Sequence, residues 1–186
     1  FANEISNIKA CQERIKAETL EHVVRHIGEA KRIFVAGFGA SSDVAHLFAR
    51  QLVPLAQGTV LFLGGSVSDY STVLQQINDA DYLMVLTLPS YSPEAWQAVD
   101  YAKKRHAKVC LFTDSPSCPM YPLSDDVVFF GRKSLLSLNS YVGFVAVAQV
   151  MKNLLLVQGK GQRMQNLEQV NTGEAEGYQF IKTHIS

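Results

Sequence analysis

Arg32-Ile33-Phe34-Val35-Ala36-Gly37-Phe38-Gly39-Ala40-Ser41-Ser42-Asp43-Val44 decides how this chain is read. A continuous apolar run ends in two glycines, and two serines then open an amphipathic stretch. The pattern predicts a buried parallel strand, a tight turn and a helix whose first turn is open to a ligand. Gly37 and Gly39 allow positive φ and close approach of the backbone. Ser41 or Ser42 is expected to cap the helix, whose positive end suits an anion such as phosphate. The plainer alternative is a simple βα turn with a capped helix. A dinucleotide site is disfavoured. Ser42 replaces the third glycine of that fingerprint, and the next strand, residues 59–63, ends in Gly64-Gly65 without a carboxylate for a ribose.

The rest of the chain repeats the alternation. Strands are expected at residues 59–63, 82–87, 108–113 and 127–130, and helices at 43–57, from about Asp69, from Pro93 and from about Ser140. Residues 3–30 show helical spacing, as one bent helix or two short ones broken near residues 17–19. A second hydroxyl-rich loop, Thr87-Leu88-Pro89-Ser90-Tyr91-Ser92, leads into Pro93 and Glu94, which is a cap, a first-turn proline and a first-turn acid. Strands alternating with helices give an α/β fold, a three-layer αβα sandwich on a five-stranded parallel sheet of flavodoxin-like order 2-1-3-4-5. In that order the loops after strands 1 and 3 flank one crevice.

Composition narrows the function. Lys+Arg and Asp+Glu stand at 17 each, which argues against this segment itself binding nucleic acid. Cys11 and Cys110 read as buried thiols and Cys118 as a loop thiol open to solvent, pointing to a cytoplasmic protein. The most apolar span, residues 141–157, is interrupted by Gln149, Lys152 and Asn153, so no membrane segment is expected. The chain begins with Phe1, which suggests a processed protein or a piece of a longer one. His22 and His26 have metal-ligand spacing but no partner motif, and a solvated helix face is the expectation. No metal or cofactor is expected.

Gly37-Phe38-Gly39-Ala40-Ser41, then Thr87 to Ser92, then Thr113-Asp114 resemble the sugar isomerase (SIS) domain, and most nearly the effector domain of RpiR-type bacterial transcription regulators. Tyr91-Ser92 and Ser140 match that sub-pattern. The resemblance implies a phosphosugar ligand held by Gly39, Ser41, Ser42, Thr87, Ser90, Ser92 and Ser140. Pro89 stands where the wider pattern has a serine, and Ser90 offers the hydroxyl instead. It further implies an N-terminal helical connector (1–30), an SIS domain (31–160) and a C-terminal tail (161–186), with DNA reached only through a domain upstream. A sensor is therefore expected over the alternative, a phosphosugar isomerase, whose base would have to come from Glu94, His46, His106 or His184. The helix from Ser140 is apolar almost all round, so the chain is expected to pair through it, by Tyr141, Phe144, Val145, Ala148, Met151 and Leu155.

Overall fold

The structure is a computed structural model that describes residues 1–136, 138–159, 164–166 and 168–175. Two helices, α1 (Ala2–Arg14) and α2 (Ala17–Glu29), precede β1 (Arg32–Gly37). Then follow α3 (Ser41–Leu52), β2 (Thr59–Leu63), α4 (Val67–Leu74), β3 (Tyr82–Leu86), α5 (Pro93–Lys104), β4 (Lys108–Thr113), β5 (Asp126–Phe129) and α6 (Val142–Gln158). The strands form one five-stranded sheet in the order β2-β1-β3-β4-β5, every pair parallel. This is the expected topology. Residues 164–166 and 168–175 are helical.

Each central strand is apolar on both faces because both faces are covered. Ile33 and Val35 point into one core with α2, α3 and α6; Phe34 and Ala36 point into the other with α4 and α5. The N-terminal segment breaks at Ile15 and Lys16, both extended, slightly earlier than expected. Val23 and Ile27 of α2 are fully buried against the sheet.

Several local expectations are corrected by packing. Apolar spacing puts Leu47 beside Phe48 and Leu52 on the inner face of α3, but it is 48% exposed, and Ala45 and Ala49 complete the buried stripe. Helix α4 starts at Val67, before Asp69, because Ser66 and Asp69 form a capping box. Cys118 is buried rather than open to solvent. His26 is not on a solvated face: its Nδ1 lies 2.7 Å from Asp126, whose carboxylate also accepts the Tyr82 hydroxyl at 2.7 Å. Helix α6 begins at Val142, not Ser140, and buries Phe144, Val147, Ala148, Met151 and Leu155 within its own subunit. Helix α1 lies against it there. A Cβ on Gly143 would come within 2.5 Å of the Gly131 carbonyl oxygen and 3.1 Å of the Cys11 sulfur, so α6 seats closely on the Gly131 backbone and on the Cys11 side chain of α1. Among the described residues no helix is long and apolar enough to cross a membrane.

Candidate functional site

Because β1 and β3 are neighbours, the loops leaving their carboxyl ends meet where the strand order reverses. Helix α3 departs to one face and α5 to the other. The crevice between them is the candidate site.

In the first loop Gly39 takes φ +55°, and a Cβ there would meet nothing within 4 Å, so the turn is open outward. Neither serine caps α3. Its N-cap is Ala40, and the amides of Ser41 and Ser42 close turns onto the carbonyl oxygens of Phe38 and Gly39 at 3.2 and 3.0 Å. Ser41 is instead buried, with its hydroxyl 3.2 Å from the Tyr141 hydroxyl. Ser42 faces the other way: its Oγ would lie 2.9 Å from a Cβ on Gly64, beyond β2 and away from β3.

The second loop keeps its expected form. The Thr87 amide extends the ladder onto the Phe112 carbonyl, and the Thr87 side chain is buried. Ser92 caps α5, its Oγ accepting the Ala95 amide at 3.1 Å with Pro93 at the first helical position. Its own hydroxyl proton remains available to a ligand. Ser90 is exposed at the loop tip.

What joins the loops was not legible beforehand. Residues 139–141 stitch them together: Tyr141 reaches Ser41 of the first loop, and the Asn139 amide donates to the Pro89 carbonyl of the second at 2.7 Å. Arg132 holds Asn139 at 3.1 Å and Asp114 at 2.6 Å, and Asp114 in turn accepts the Tyr91 hydroxyl at 2.9 Å. The circuit runs from Tyr91 through Asp114, Arg132 and Asn139 back to Pro89, holding the tip of the second loop on both sides of Ser90. Burial opposes the charge on Asp114, but the bonds from Arg132 and Tyr91 outweigh it and hold its carboxyl below the ordinary value.

Ser140, expected at the helix start, is held by α1 instead. Its hydroxyl donates to Glu4, which also accepts from Asn3 and Asn7. These bonds, the one from Ser140 foremost, lower the Glu4 pKa. Asn7 clamps the same segment, accepting the Lys133 amide and donating to its carbonyl, each at 2.8 Å.

Two of the acid–base candidates, His46 and His106, stand elsewhere. His46 stacks on Phe62 of β2 at 4.7 Å, and His106 follows the far end of α5 with φ +62°. Glu94 is close enough to Tyr70 of α4 to help burial raise that phenol's pKa. His184 lies outside the described residues. The pair that most resembles catalytic machinery, His26 with Asp126, is at the amino end of the sheet, opposite the crevice. Its geometry is that of a buried clip between α2 and β5. Among the described residues no group of three or more His, Cys, Asp or Glu is placed to hold a metal ion.

Comparison with known proteins agrees with the fold. The family model of the SIS domain matches residues 26–130. The 3-hexulose-6-phosphate isomerase of Mycobacterium gastri is 24% identical over 144 residues, 77% of this chain and 69% of that protein. Among solved structures, the sugar isomerase domain of the RpiR transcription factor from Sphaerobacter thermophilus superposes with a TM-score of 0.86 at 23% identity, covering 92% of this chain and 96% of that one. The Vibrio vulnificus NanR protein, solved with ManNAc-6P, gives a TM-score of 0.81 at 19% identity over 92% of this chain and 66% of its own.

Proposed function

The chain belongs to the SIS domain family, and from that premise we propose that it is the phosphosugar-sensing effector part of a bacterial transcriptional regulator of carbohydrate metabolism, with a DNA-binding domain upstream. The observation that carries the reading is the stitch at residues 139–141. It draws two hydroxyl-bearing loops into one crevice, while His46 and His106 lie away from it and Glu94 is a first-turn acid of α5. Ser41, Thr87, Ser90 and Ser92 supply hydroxyls to the phosphate, and the amino end of α5 supplies its dipole. Charge-assisted hydrogen bonds of this kind contribute about 1.5–3 kcal/mol each. The likeness in fold to the RpiR domain and to NanR supports the same reading.

The second reading, a phosphosugar isomerase, is favoured by the M. gastri relative. Moving a proton between adjacent carbons needs a base beside the bound sugar. A panel of aldose and ketose phosphates followed by NMR separates the two. We expect every sugar phosphate to be recovered unchanged, and free sugars to give no heat in calorimetry. Interconversion of any pair, lost on replacing Glu94 or His184, establishes the isomerase instead.

A dimer formed through α6 would serve sensing as well. Outward from the core, α6 leaves Val142, Val150 and Val157 exposed, and Val150 borders an apolar groove of about 430 Å³ with Ile8, Ile15 and Ala146. A two-fold pairing on this face buries both copies at once. Since residues 139–141 lead directly into α6, a ligand that moves them shifts the pairing and respaces upstream domains. Sedimentation of the unaltered chain at micromolar concentration should show dimers, and Val150→Asp should give folded monomers. A monomeric unaltered chain rules this interface out.

A further inference from the structure

Beside the two loops, on the same carboxyl edge of the sheet, α1 and residues 130–133 enclose a second concavity of about 290 Å³. Three cations, Arg14, Arg132 and Lys133, share its wall with one carboxylate, Asp114. Arg132 and Asp114 neutralise each other at 2.6 Å. Arg14 and Lys133 have no carboxylate partner among the described residues. In a chain whose charges balance overall, this pocket keeps two uncompensated positive charges.

Arg14 is also already ordered. Its guanidinium lies over the Phe129 ring, 5.1 Å from the centroid, and donates to the Asp114 carbonyl at 2.7 Å. A fixed guanidinium loses little further freedom on meeting an anion, and its planar fork suits a carboxylate or a phosphate. Glu4, on the same helix as Arg14, is turned to Asn3, Asn7 and Ser140. Residues of the pocket wall are hydrogen-bonded toward the second loop at two points. Asp114 touches Tyr91 of the second loop, and Arg132 reaches Pro89 of that loop through Asn139.

Resting on the phosphosugar reading above, we infer that this pocket takes a second anionic group of the same ligand. The ligand class is then a sugar with phosphate at one end and a carboxylate or second phosphate at the other. The loops hold the first phosphate, and Arg14 and Lys133 hold the distal anion.

Inorganic phosphate tests the two places separately, by amide chemical shifts in the full chain. Shifts are expected both at residues 87–92 and at residues 131–133, the second set lost in Lys133→Gln, whose ammonium makes no hydrogen bond or ion pair among the described residues. Shifts at residues 87–92 alone overturn the second pocket and leave the phosphosugar reading standing. Shifts at residues 131–133 alone overturn the phosphosugar reading and, with it, the two-ended ligand. Calorimetry then compares glucose 6-phosphate with 6-phosphogluconate and fructose 1,6-bisphosphate, the last two separating a distal carboxylate from a distal phosphate. At least one two-ended ligand should bind tenfold or more tightly than glucose 6-phosphate, and Lys133→Gln should bring the ratio toward one. Equal affinities, or a ratio that Lys133→Gln leaves intact, overturn the inference. Arg14→Gln provides the second variant, with its melting transition recorded because Arg14 also packs on Phe129.

Discussion

In the Ser92→Asp variant, calorimetry should detect no phosphosugar binding, while the thermal transition stays where it is in the unaltered chain. Ser92 does two jobs with one oxygen. It accepts the Ala95 amide as the cap of α5, and it presents its proton to the crevice. Aspartate caps a helix as well as serine does, so the fold keeps its helix start. The substituted carboxylate has no proton to donate and sets a negative charge beside the phosphate. Losing one charge-assisted bond costs about 1.5–3 kcal/mol, and repulsion at contact adds to it, so affinity falls by more than a hundredfold. Ser92→Ala is the control with the opposite profile. It gives up the cap, at about 1 kcal/mol of stability, but adds no charge and should retain weak binding. If Ser92→Asp binds a sugar phosphate as tightly as the unaltered chain, the second loop is not the phosphate site.

The two variants also show which features a sequence carries openly. Ser92-Pro93-Glu94 is a local signal complete within three residues, and the structure reproduces it. The strand order followed equally well, because the central apolar runs are long enough to need cover on both faces and the first four strands are separated from one another by helices. Ser41 was misread for the same local reason. A serine after a glycine turn looks like a cap, and only Tyr141, a hundred positions later, makes it a buried partner. Ser140 meets Glu4 across 136 positions, and His26 meets Asp126 across 100. Pairings at such separations follow from how α1 and α2 fold back over the sheet, and no periodicity encodes them. Residues 132–139, with leucines at 135, 136 and 138, carry no local pattern, yet Arg132 and Asn139 hold the loops in register. Those two polar side chains between the last strand and the last helix were the available signal.

Helix α6 shows the same limit from the apolar side, and it sets the largest expected loss of stability. Phe144→Ala should destabilise the fold by about 3–5 kcal/mol, the range for emptying a buried aromatic position. Apolarity around the helix made Phe144 look like an interface residue, but it is 2% exposed within one subunit. Its ring centroid lies 5.6 Å from Phe48, 5.4 Å from Phe112 and 5.7 Å from Phe130, with near-perpendicular planes in the first two pairs. Phe48 and Phe112 also meet each other at 5.9 Å. Edge-to-face pairs add about 0.5–1.5 kcal/mol beyond area burial. One truncation therefore removes three ring contacts and opens a cavity where α3, β4, the residue after β5 and α6 converge. The neighbours have little room to close it, because Gly143 already sits against the Gly131 backbone. Against a typical total of about 5–15 kcal/mol for a folded domain, the variant should unfold at markedly lower denaturant, with the slope of its transition unchanged. Val150→Asp, on the same helix but 47% exposed, should leave the denaturation midpoint in place under conditions where both proteins are monomeric. A Phe144→Ala midpoint close to that of the unaltered chain would mean that α6 does not close the core. Its start could then not relay a ligand at Ser41 and Tyr141 to the rest of the molecule.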